Sequence, residues 1–160
     1  SKISIVEETL EALQQFARRH RRELKIPVLA ITGTNGKTTT KELIASILKK
    51  KYKTVATQGN LNNHIGVPLT LLSFDKNTEF GIVEMGANHE GEIKHLCEIA
   101  EPDYGLITNI GKAHLEGFGS YEGVIRAKTE MYNYLRTKQI FVNADNPLLT
   151  KLAKNIQTKS

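Results

Sequence analysis

Five short runs, Val28–Ile31, Tyr52–Ala56, Phe80–Val83, Tyr104–Ile107 and Ile140–Val142, recur along the chain, and a helical pattern separates each from the next. Their interiors lack the strict polar alternation of a strand with one wet face, so they read as strands covered on both sides. Strands joined through helices cannot form hairpins; they require right-handed crossovers and a parallel sheet. The fold class expected is therefore α/β, a parallel sheet of about five strands with helices on both faces. The helical segments are Lys37–Lys50, with Leu43, Ile44, Ile47 and Leu48 as its buried stripe, then Pro68–Leu72, Gly91–Ala100, Tyr121–Leu135 and Pro147–Lys154. A helix also opens the chain: Ile5, Val6, Leu10, Leu13 and Phe16–Ala17 recur at three- and four-residue steps until Pro27 stops it.

At 160 residues the chain fits one domain with a real core. The expected division is a helix and linker over 1–25, a nucleotide-binding domain over 26–155 and a polar tail over 156–160. Nothing approaches the roughly 20 apolar residues that cross a bilayer, and charges interrupt the N-terminal stretch where a secretion signal would need an apolar core. A single cysteine, Cys97, forms no internal disulfide and fits a cytoplasmic protein, as a small buried hydrophobe rather than a nucleophile. The net charge of +5 raises the question of nucleic acid. The densest basic run, Arg18, Arg19, His20, Arg21 and Arg22, lies near the end of the first helix, where cations complement the helix dipole and are solvated. It has no interleaved aromatics, and no nucleic-acid-binding signature accompanies it, so nucleic acid is not an expected partner.

Thr32-Gly33-Thr34-Asn35-Gly36-Lys37-Thr38-Thr39 stands between a strand and a helix. Glycines there let successive N–H groups turn inward around phosphate oxygens at a positive helix N-terminus. Lys37 would reach the β- and γ-phosphates, and the Thr38 hydroxyl would ligate Mg²⁺. The loop is two residues shorter than the general phosphate-binding pattern, whose first glycine position holds Ile31. Glu84 ends the third strand, where a carboxylate either holds a nucleotide's Mg²⁺ or lies solvated in a turn. After the fourth strand come Asn109 and His114, and after the second an Asn-rich loop with Asn60, Asn62, Asn63 and His64. All four segments follow strands, so they emerge at one edge of a parallel sheet, where open α/β sheets bind ligands.

Together these motifs resemble the Mur ligase family of peptidoglycan synthesis. Gly33–Thr39 is similar to that family's short phosphate loop, which accounts for the missing first glycine. Gly59–Leu72 (GNLNNHIGVPLTLL), Glu84–Ile93 (EMGANHEGEI) and Ala113–Gly119 (AHLEGFG) resemble the branch that adds D-alanyl-D-alanine to UDP-N-acetylmuramoyl-tripeptide. The resemblance covers about residues 26–150 and implies an ATP-dependent ligase working through an acyl phosphate, in the cytoplasm. It implies ATP bound by Gly33, Thr34, Asn35, Gly36, Lys37, Thr38, Thr39 and Asn109, and the use of two Mg²⁺ ions. Thr38 and Glu84 would serve the first metal. His114 matches a second-metal ligand, and Lys128 matches a carbamylated lysine, although as a bare sequence position it reads as a solvated helix lysine. Lys37, His114 and Lys128 would then be the catalytic residues, with Asn60, Asn62 and Asn63 toward substrate. The family's N-terminal and C-terminal domains have no counterpart here, so the chain is expected to be a piece of a longer enzyme that does not ligate alone. The alternatives are another amide ligase of the superfamily, such as a folylpolyglutamate synthase or a different Mur ligase, and a non-catalytic nucleotide-binding module.

Overall fold

The computed structural model describes residues 7–111 and 115–157. Helix α1 (Thr9–Leu24) leads into β1 (Val28–Thr32), and α2 (Lys37–Leu48) follows the Gly-rich turn. Next come β2 (Thr54–Ala56), α3 (Gly66–Leu72), β3 (Phe80–Glu84), α4 (Glu92–Ala100) and β4 (Tyr104–Ile107). A short α5 (Leu115–Phe118) precedes α6 (Tyr121–Tyr134), β5 (Gln139–Phe141) and α7 (Pro147–Gln157).

The five strands form one parallel sheet in the order β2-β3-β1-β4-β5. The connection from β1 steps past β3 to the β2 edge, and each later connection steps back the other way. With right-handed crossovers, α2 must then cover one face and α3, α4 and α6 the other. Strand alternation obeys this. Val28 and Ala30 of β1 join the larger core with Val67, Leu71, Ile93, Leu96, Ala127 and Met131, whereas Leu29 and Ile31 join a smaller cluster with Ala45. The reversal of direction falls at the carboxyl end of β1, where such sheets open a ligand crevice. On the α2 face, Tyr52, Phe80, Tyr104 and Phe141 line up across the strands with successive ring centroids 6.3, 6.3 and 6.0 Å apart.

Three expectations need correcting. Helix α2 turns Lys41 and Ala45 inward, with Ile44 and Leu48 half-buried, while Leu43 and Ile47 are 61% and 69% exposed. Its inner face is set one residue away from the most apolar one, and it carries Lys41 to a buried carbonyl. On α1, Ala17 is buried but Phe16 is exposed; Ile5 and Val6 lie outside the described residues. The basic run is not simply a solvated helix end. Arg21 is buried and donates to the carbonyls of Ala100 (3.2 Å) and Glu101 (3.3 Å) and to Asp103 (2.7 Å). Arg22 pairs with Glu101, and a ring nitrogen of His20 lies 2.7 Å from the Phe74 carbonyl. Arg21 and Arg22 pin α1 to the turn before β4, and Arg21 supplies donors to the Ala100 and Glu101 carbonyls at the end of α4. No helix among the described residues is long and apolar enough to cross a membrane.

Candidate active site: a phosphate loop beside a buried carboxylate

Gly33 has φ +148°, and a Cβ there would fall 2.0 Å from Thr108 Oγ1, so neither the conformation nor the space admits a side chain. Gly36, with φ +75°, is the N-cap of α2 and brings no side chain to its first N–H groups. The turn is held from the strand beside it. Thr34 N donates to Asn109 O (3.1 Å), Asn35 N to Asn109 Oδ1 (2.9 Å), and Gly111 N to Thr34 Oγ1 (2.9 Å). Thr108 Oγ1 donates to Asn35 O (2.7 Å). Asn109 therefore shapes the loop, and Thr108, the first residue after β4, does as much. Lys37 Nζ folds over the turn toward the carbonyls of Gly33 (3.0 Å) and Thr34 (3.3 Å); Thr39 is exposed on the first turn of α2.

Glu84 is 2% exposed at the end of β3. Its Oε2 accepts from Thr38 Oγ1 (2.9 Å) and its Oε1 from Asn62 Nδ2 (3.0 Å). Two segments 46 residues apart in sequence thus present a hydroxyl and a carboxylate to each other, the hard oxygen donors that Mg²⁺ selects. Asn62 also fixes the backbone, since Gly86 N donates to its carbonyl (2.7 Å) and a Cβ at Gly86 would meet its side chain at 3.0 Å. Asn63 Oδ1 instead accepts from Ile65 N (3.0 Å) and Gly66 N (2.9 Å), capping the start of α3. Asn60 is exposed on the outer turn of the loop.

A cleft of about 800 Å³ opens beside these groups, lined by Gly33, Lys37, Asn62, Asn63, Phe118 and Lys128 among others. Lys128, which as a bare sequence position reads as a solvated helix lysine, is 3% exposed, with Nζ 5.7 Å from the Phe118 ring centroid. Burial, and then the charge of Lys37, lower its pKa to about 8. A neutral amine there is a nucleophile that an ordinary surface lysine is not. Helix α6 also grips the loop after β3. Glu130 accepts from Gly91 N (2.6 Å) and Lys94 N (2.9 Å) at the start of α4, and Arg126 pairs with Glu90. Cys97 is fully buried, its Sγ 3.8 Å from Met85 Sδ, and burial pushes the thiol up to about 12, which suits packing and not nucleophilic attack. His114 lies outside the described residues.

The Mur ligase middle domain model matches residues 31–160. UDP-N-acetylmuramoyl-tripeptide–D-alanyl-D-alanine ligase of Bacillus subtilis is 45% identical over 159 residues, 99% of this chain and 35% of that protein. The MurF crystal structure from Acinetobacter baumannii superposes with a TM-score of 0.89 at 38% identity, covering 96% of this chain and 34% of that one. MurF ligase from Thermotoga maritima, solved in complex with ADP, gives 0.88 at 36% identity, covering 98% and 37%. The chain thus spans about a third of the length of the relatives it matches. With the short phosphate loop, the strand-end carboxylate and the sheet order all in agreement with that match, the chain belongs to the Mur ligase family as a middle domain.

Proposed function

We propose that this chain is the ATP-binding part of a ligase that joins D-alanyl-D-alanine to UDP-N-acetylmuramoyl-tripeptide. The observation that carries the reading is the Thr38–Glu84 contact at the mouth of the Gly33–Lys37 turn, together with an ADP-bound MurF of the same fold. In this reading the turn's N–H groups and Lys37 hold the β- and γ-phosphates. A carboxylate oxygen of the tripeptide attacks the γ-phosphorus, the bond to the β-phosphate oxygen breaks, and ADP leaves. The dipeptide amine then attacks the acyl carbon and loses its proton, and phosphate departs with the electron pair. Thr38 and Glu84 would hold Mg²⁺, which when bound neutralises the phosphate charge that develops during transfer. Asn62 orients the Glu84 carboxylate through its hydrogen bond to Oε1, while Asn109 keeps the phosphate loop in shape. His114 is assigned to a second metal by resemblance, as Asn60 and Asn63 are to the substrate side.

Lys128 is proposed to carry a carbamate. Its amine attacks CO₂, the new N–C bond forms and a proton is lost, which turns a cation into an anionic oxygen ligand suited to Mg²⁺. The depressed pKa and the place in the cleft support this. Two experiments test the function. Lys37→Ala in the full-length protein should nearly abolish ATP-dependent ligation while ATP-free folding persists, and near-normal turnover would refute the phosphate-loop assignment. Labelled bicarbonate with carbon NMR should give a carbamate resonance that Lys128→Ala removes. No resonance, with full activity in the variant, would return Lys128 to a packing role.

A further inference from the structure

Lys41 is 1% exposed, lies one helical turn beyond Lys37, and takes no part in the chemistry described above. Burying an ammonium is costly unless its donors are used, and here a backbone carbonyl and a carboxylate take them up. Lys41 Nζ donates to the carbonyl of Thr57 (2.5 Å), with Glu42 Oε1 as its counter-charge at 2.9 Å. Thr57 is itself fully buried, and its polar atoms are all engaged. Its N–H donates to Ile82 O (2.9 Å), and its hydroxyl oxygen accepts from Glu84 N (2.9 Å).

That last bond matters because the β2–β3 ladder stops at Ala56↔Ile82. Beyond it the Glu84 N–H would face the β2 side with no strand opposite, and the Thr57 side chain supplies the missing acceptor. Helix α2 therefore reaches Glu84 by two routes. One is direct, from the Thr38 hydroxyl to the carboxylate, and the other runs from Lys41 through Thr57 to the Glu84 backbone. A metal ion ligated by Thr38 and Glu84 would engage the same oxygens that now share a hydrogen bond. The second route uses neither of those oxygens.

We infer that Lys41 is a positioning residue: a buried tether that, through Thr57, holds Glu84 at a fixed distance from the phosphate-loop helix, independently of the Thr38–Glu84 oxygens that a divalent cation would use. The inference rests on the proposed metal role of Thr38 and Glu84. It predicts that loss of the tether weakens the cation's contribution to nucleotide binding more than nucleotide binding itself, because Lys41 touches neither the turn nor its N–H groups.

The test is calorimetric titration of ADP into the full-length protein, once with Mg²⁺ and once with EDTA, for the wild type, Lys41→Met and Thr57→Val. Methionine keeps the apolar stem, and valine removes the hydroxyl that accepts from Glu84 N and meets the Thr70 hydroxyl. Supporting residues around metal ligands are typically worth 10- to 100-fold in metal affinity, so the Mg²⁺-dependent gain in ADP affinity should shrink about tenfold or more in each variant, with affinity in EDTA within about twofold of wild type. A packing role alone would lower the melting temperature and leave the Mg²⁺-dependent gain intact, which overturns the inference. If Lys41→Met does not fold, Thr57→Val decides it by the same criterion. A wild-type protein whose ADP affinity ignores Mg²⁺ would overturn the metal reading of Thr38 and Glu84 and the tether with it, whereas a wild-type gain that both variants retain overturns the tether alone.

Discussion

Replacing Lys128 by methionine removes a cation from a place that disfavours it, so the variant should be more stable and less active. The native lysine is held near a pKa of about 8, against 10.5 for the free side chain, chiefly by burial and next by the charge of Lys37. At about 1.4 kcal/mol per unit, the charged form costs the folded state about 3 kcal/mol at pH 7. Between pH 8 and 10.5 the unfolded chain binds more protons at this residue than the folded one, so wild-type stability rises with pH across that window. The advantage of methionine should accordingly fall from about 3 kcal/mol at pH 7 to about 1.4 kcal/mol at pH 9.5. Urea unfolding followed by circular dichroism, in buffers freed of CO₂ so that no carbamate neutralises the wild-type lysine, measures the difference. A stability difference that stays flat across this range, or a variant that is less stable at pH 7, would refute the burial argument.

Three further outcomes are expected. Gly33→Ala forces a side chain onto a backbone with φ +148° and into Thr108 Oγ1, so ADP affinity measured by calorimetry should drop by about tenfold or more. Arg21→Met leaves the Ala100 and Glu101 carbonyls without their buried donor, at about 1–3 kcal/mol, read as a lower melting temperature. Glu130→Gln keeps the shape but removes the negative charge at the start of α4; a loss of about 1 kcal/mol is expected there, with faster amide exchange at Gly91 and Lys94.

The periodicity of the chain determined the architecture. Apolar runs at Val28–Ile31, Phe80–Val83 and Tyr104–Ile107 can only be buried on both faces, and the helices between them leave no choice but a parallel sheet. The phosphate turn was legible for the same reason, since Gly33 and Gly36 act through local backbone geometry that sequence neighbours decide. Sequence alone could not rank the polar residues, because their meaning depends on partners distant in the chain. Lys41 and Lys128 read as two helix lysines among many, yet one is buried against Thr57 and the other beneath Phe118. Asn62 and Asn63 are adjacent amides with separate duties, one on Glu84 and one on the start of α3. Arg21 belongs to a basic run whose exposure looked uniform until the turn before β4 supplied acceptors for it. Local patterns set which backbone conformations are affordable, whereas the desolvation and pairing of a charge are set only when the sheet brings strand ends together. That is why the fold was written along the chain and the site was decided across it.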